Sequence, residues 1–206
     1  MPEHDYLQTP SQTVGPFFGY ALPYPGGPEG AAPWRPDAVR LHGTVFDGAG
    51  EPIPDALVEI WHADAAGRVI RARGSLDRDG HTVTGFGRAP ADRAGHYNFS
   101  TIKPGSARVD VAPFILVAVF ARGLTHHLFT RAYFGDEAER NGGDRFLSGI
   151  NPARRATLIA VPDAERSYRF DIRLQGEGET VFIDFERHDP EQSNTAHRDL
   201  EGEDHD

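Results

Sequence analysis

At 206 residues, with a formal net charge of −10 and no cysteine, the chain is closed to several kinds of function. Thiol nucleophiles, thiolate-held zinc and iron–sulfur clusters all need cysteine, and nucleic-acid binding needs a basic face. The length suits one all-β domain, which buries roughly 70% of its unfolded surface and needs no disulfide or structural metal.

The opening residues, MPEHDYL, have neither the basic start nor the apolar run of a signal peptide, so the expected location is cytoplasmic. Residues 1–37 hold eight of the sixteen prolines and no periodic run. They predict an extended arm whose Phe17, Phe18, Tyr20, Tyr24 and Trp34 must lie on its own domain or on a neighbour. The body is expected over 38–186. Val39, Leu41, Gly43 and Val45 alternate with polar residues, and Asp47 to Gly50 turns the chain. Ala56 to Trp61 is a second strand carrying Glu59, which is expected as an ion-pair partner. A polar, Gly-rich loop is expected over 71–93. His96 to Ile102 alternates, Lys103-Pro104-Gly105 turns, and Pro113 to Phe120 is apolar throughout. That last run is too short to span a membrane and predicts a strand covered on both faces. His127 to Phe134 sets Phe129, Arg131 and Tyr133 on one face; Asp136 to Asp144 is a loop or one helical turn. Ser167 to Gln175 alternates most cleanly, then Glu177-Gly178-Glu179 turns into Val181, Ile183 and Phe185. Seven or eight strands without a convincing helix predict an antiparallel β-sandwich. Residues 187–206, with seven acids against two arginines, predict a disordered tail that carries half the net charge.

None of the common nucleotide-binding, hydrolase or metalloprotease motifs occurs. The ten histidines show no His-x-His or His-x-x-x-His spacing, and adjacent His126 and His127 point to opposite faces of a strand. Arg131, between Phe129 and Tyr133, suits a bidentate carboxylate, with a structural salt bridge as the alternative.

The runs Leu41-x-Gly43-x-Val45, Val58-Glu59-Ile60-Trp61, Gly67-Arg68-Val69, Gly95-x-Tyr97-x-Phe99-x-Thr101-Ile102-Lys103-Pro104-Gly105 and Tyr133-Phe134 resemble the signature of the intradiol ring-cleavage dioxygenases. Thr9 to Pro16 and Tyr168 to Gly176 extend the resemblance over residues 8–186. It implies a prealbumin-like β-sandwich core and cleavage of 3,4-dihydroxybenzoate with O2 to 3-carboxy-cis,cis-muconate, a step of aromatic catabolism. In the family, ferric iron is held by two tyrosines and two histidines, and hard anionic oxygens favour Fe(III).

Carried over residue by residue, the four ligand positions fall on Val69, Ala107, Phe114 and Leu116, none of which can donate to a metal. The resemblance therefore implies the iron-free alpha-type chain of a two-chain member, with Fe(III) bound by a homologous beta chain. It further implies that Thr13, Gly15 and Pro16 of the arm, together with Arg131, line the mouth of the partner's substrate pocket. The alternative is a non-catalytic prealbumin-like binding or scaffolding module.

Overall fold

The computed structural model describes residues 9–15, 17–70 and 78–184. Pro16, residues 71–77 of the expected loop, Phe185 and the acidic stretch 187–206 lie outside the described residues. Among those described there are nine strands and four helices of four or five residues, and no helix is long and apolar enough to cross a membrane.

The alternating runs become strands where the periodicity places them. β1 (Ala38–Phe46) pairs antiparallel with β4 (His96–Ile102), from Ala38 opposite Ile102 to Thr44 opposite His96. β2 (Leu57–Trp61) lies between β3 (Phe86–Pro90) and β5 (Phe114–Phe120), and β5 pairs with β6 (Leu128–Phe134), all antiparallel. β5 is fully covered on one face only. Ile115, Val117 and Val119 are buried, whereas Phe114 and Leu116 are half-buried, because the sheet face they occupy borders a cavity.

The sheet is mixed, which corrects the purely antiparallel expectation. β7 (Ile159–Ala164) runs parallel to β6, and β8 (Ser167–Arg169) and β9 (Ile172–Arg173) run parallel to β1. A parallel neighbour needs a crossover of a dozen or more residues, and the segment between β6 and β7 supplies it. That segment also corrects the expectation of no convincing helix: α2 (Ala138–Gly142), α3 (Arg145–Ser148), α4 (Pro152–Arg155) and a 3-10 turn (Ala156–Leu158) occupy it. Such helices are too short to show a 3.6-residue period and are set by their caps. The buried Asp144 carboxylate accepts the Leu147 N–H at 2.8 Å, and Asn151 caps α4 just before Pro152. Leu147 and Leu158 then pack with Tyr133 and Ala112 in a small second core.

β3 falls inside the stretch expected as loop. Its inward positions are Gly87 and Ala89, too small to mark a strand by alternation. The expected Ser167–Gln175 strand is split at Phe170 and Asp171. Its alternation is nevertheless right, since Tyr168, Phe170 and Ile172 are all buried.

The strands follow one hydrogen-bonded path, β3-β2-β5-β6-β7-β8-β1-β4, with β9 also on β1. Side chains from both ends of that path, among them Leu41 and Phe99 on one and Val58 and Val117 on the other, form a single buried cluster. In the arm, residues 27–31 dock at home: Gly27 and Gly30 carbonyls accept the Arg88 and Thr84 N–H groups at 2.8 Å, and Ala31 N–H donates to Ser100. Upstream, the one-turn α1 (Phe18–Ala21) buries Phe18 and leaves Phe17 and Tyr20 79% and 86% exposed.

Candidate functional site

β2 ends at Trp61, and the next residues turn sharply. The Asp64 carboxylate accepts the Ala66 and Arg68 N–H groups, and its carbonyl accepts those of Gly67 and Gly105. Two glycines allow this turn to press against the loop after β4. A Cβ on Gly67, at φ +78°, would lie 2.0 Å from the Ser106 carbonyl oxygen, and one on Gly105 would lie 2.3 Å from that of Ala65. Val69 follows this turn and Ala107 lies in the loop it presses against, and both line one space. Phe114 and Leu116, two residues apart on β5, project from one face toward the same space.

The four positions at which the resemblance places iron ligands thus line one cavity of about 700 Å³, together with Trp61, His62, Phe86 and Ala112. The donor set does not fit a ferric ion. A valine, an alanine, a phenylalanine and a leucine offer no lone pair, and the nearest imidazole is already committed. His62 Nδ1–H donates to the Ala63 carbonyl at 2.8 Å, so Nε2 accepts from the Thr101 hydroxyl at 2.6 Å. Burial holds this imidazole below its usual pKa and therefore neutral. Among the described residues, no three His, Asp or Glu side chains are grouped to hold a metal.

The family described as Dioxygenase matches residues 35–176. The chain is 44% identical over 193 residues to the "Protocatechuate 3,4-dioxygenase alpha chain" of Burkholderia cepacia, covering 86% of this chain and 97% of that protein. The protein of the same name from Pseudomonas putida is 42% identical over 207 residues, covering 90% and 100%. The "Protocatechuate 3,4-dioxygenase beta chain" of Burkholderia cepacia is 32% identical over 159 residues, 70% of this chain and 67% of that one.

The chain belongs to the intradiol ring-cleavage dioxygenase family.

In fold, this dioxygenase-family chain resembles the dioxygenase domain of a carbohydrate-binding fusion protein from Streptomyces sp. SirexAA-E (TM-score 0.54, 22% identity, 85% of this chain and 96% of that one).

Of the other described residues expected at a site, Thr13 and Gly15 are not among those lining the cavity, and Arg131 sits behind its Phe114 wall. The Thr13 hydroxyl oxygen accepts the Gly123 N–H at 2.7 Å, fastening the arm to the turn after β5. Gly15 is exposed, with nothing within 4 Å of a Cβ built on it. Arg131 sits on β6 opposite Leu116, its guanidinium 4.4 Å from the Phe114 ring centroid and 4.6 Å from that of Phe146. One of its Nη groups donates to the Tyr133 hydroxyl at 3.2 Å, while Nε is buried without a partner. Neither a carboxylate nor a salt bridge is recorded at Arg131 among the described residues; two aromatic faces hold it instead. Burial pushes the Tyr133 phenol up to about 12, so it remains protonated beside Asp144. Glu59 does take the ion-pair role, 2.6 Å from Arg88, which also donates to the Leu22 carbonyl of the arm.

His62, Trp61 and Phe86 were not singled out by spacing. His62 follows directly on the Val58-Glu59-Ile60-Trp61 strand, and only the packing of β4 behind it shows its partner, Thr101. At the rim, Asp79 accepts the Thr82 hydroxyl and the Thr82 and His81 N–H groups, which hold its pKa down to about 2. A depressed carboxylate contributes stability that is fully present above its unfolded value of 3.8 and is lost as pH falls through about 2. Asp79→Asn is therefore expected to lower the thermal midpoint at pH 6 and to converge on the parent chain by about pH 2, as followed by circular dichroism.

Proposed function

We propose that this chain is the iron-free alpha subunit of a protocatechuate 3,4-dioxygenase, paired in the cytoplasm with a beta chain that binds Fe(III). The pair opens 3,4-dihydroxybenzoate with O2. The observation that carries the proposal is that Val69, Ala107, Phe114 and Leu116, the positions at which the resemblance places the ligands, line one cavity and carry no donor. The two alpha-chain relatives, each matched over nearly its whole length, support the same reading.

In this reading the metal supplies activation of the bound catecholate and lies on the partner, while this chain contributes surface and charge. The arm divides its work. Residues 27–31 stay on their own domain, Thr13 is tied to the Gly123 turn, and from that anchor the segment with Thr13, Gly15 and Pro16 borders the partner's pocket mouth. The exposed rings of Phe17, Tyr20 and Trp34 supply the apolar contact. Arg131 attracts the carboxylate of the substrate. Phe114 and Phe146 clamp its plane, so the fork is oriented before the anion arrives.

Native mass spectrometry of the co-expressed pair, with iron counted per chain, tests the assignment: one iron per alpha–beta pair is expected, and two would refute it. For Arg131, the Arg131→Ala pair is expected to show a KM raised about tenfold at low salt with kcat nearly unchanged, as loss of uniform binding requires. Arg131→Lys should recover part of the difference. An unchanged KM would leave the residue a packing role only.

A further inference from the structure

We propose that the donor-free cavity is a binding site for an uncharged, one-ring aromatic molecule. The proposal stands apart from the pairing assignment, because it is argued from this chain's own residues.

At about 700 Å³ the cavity is within the range of small-molecule sites and far larger than a packing defect. Trp61 and Phe86 meet at one wall, ring centroids 4.6 Å apart, and Phe114 and Leu116 form another. Aromatic and aliphatic walls of this kind favour a planar apolar guest.

The imidazole, hydroxyl and guanidinium groups at the cavity bear on the charge of that guest, because each already has protein partners. The two ring nitrogens of His62 are taken up by Ala63 and Thr101. Arg78 turns its Nε–H to the Gly26 carbonyl at 3.1 Å and its Nη groups to the Thr84 and Tyr24 hydroxyls, both at 2.9 Å. Thr84 in turn donates to the Phe86 carbonyl, and Thr82 donates to Asp79. Among the described residues the His62, Arg78, Thr82 and Thr84 groups are thus engaged, the indole N–H of Trp61 is one donor on the cavity wall, and Asp79 sets a negative charge near that of Arg78. A carboxylate entering this space would lose more water than one indole N–H can replace. A neutral ring meets no such cost and gains by burial. This selectivity is opposite to that proposed for Arg131, which recruits an anion.

The chain has two tryptophans, so Trp34→Phe leaves Trp61, on the cavity wall, as the reporter. The full chain with that change is titrated with benzyl alcohol and, separately, with benzoate, two molecules of one size and different charge. Benzyl alcohol is expected to change Trp61 emission saturably, with half-saturation on the order of millimolar. Benzoate should bind about tenfold more weakly or worse. Ala107→Phe and Leu116→Phe each put a ring into the cavity, and each should weaken benzyl alcohol binding about tenfold or more. Ala107 is exposed, so its variant is expected to fold, which circular dichroism checks. Benzoate binding as tightly as benzyl alcohol, no saturable response to benzyl alcohol, or unaltered binding in both filled variants would each overturn the proposal.

Discussion

Ring cleavage is expected to appear only when this chain is produced together with its beta chain; the chain by itself should consume no oxygen with 3,4-dihydroxybenzoate and should purify without iron. The expectation follows from the donor inventory of the cavity. Ferric iron needs hard anionic oxygens supported by imidazole nitrogens, and all four positions carry hydrocarbon side chains. His62 cannot substitute, since freeing either nitrogen would break a bond inside a buried site. The loss is distributed over the turn at Val69, the loop at Ala107 and two residues of β5, so restoring one ligand should not recover metal. Val69→Tyr alone is expected to remain colourless. Oxygen uptake and elemental analysis on the lone chain and on the pair decide the matter. The absorption of iron-bound tyrosinate should follow the pair alone, and its presence in the lone chain would end the assignment.

Gly43→Ala is expected to be the most damaging single methyl addition within a strand. A Cβ at this position would stand 2.0 Å from the Phe170 carbonyl oxygen and 2.6 Å from its carbon, both backbone atoms that no rotamer change can move. That same carbonyl accepts the hydroxyl of the fully buried Tyr97. Next to it, the Thr44 N–H donates at 3.0 Å to the Asp171 side chain. β1 and the β8–β9 segment would have to separate at the point where one buried hydroxyl and one carboxylate complete their contact. Overpacking that backbone must relieve costs about 3 kcal/mol or more, against which Gly19→Ala, with nothing within 4 Å of its Cβ, should be near neutral. Urea titration of both variants measures the contrast.

The same residues explain why one predicted strand is two. From Ser167 to Gln175 the side-chain period is unbroken, and the buried face was legible from it. The backbone pattern was not, because the close approach of Gly43 and the Asp171 carboxylate replace ladder bonds with contacts from residues more than a hundred positions away. β3 escaped notice for the reverse reason: Gly87 and Ala89 face inward but carry too little hydrocarbon to mark a period. Of the short helices before β7, α3 and α4 owe their positions to Asp144, Asn151 and Pro152 rather than to any apolar stripe.

By itself, the amino-acid order determined where the long strands lie, since alternation at two residues per repeat is a local property. It also determined that the four positions at which the resemblance places ligands are donor-free, since a side chain without a lone pair is so in any conformation. Only the tertiary structure decided that Val69, Ala107, Phe114 and Leu116 share one open cavity, that the His62, Arg78 and Thr84 groups around it are already hydrogen-bonded, and that Arg131 is held by two rings. Those outcomes depend on distances between segments far apart in the chain, which close packing sets and local periodicity does not encode.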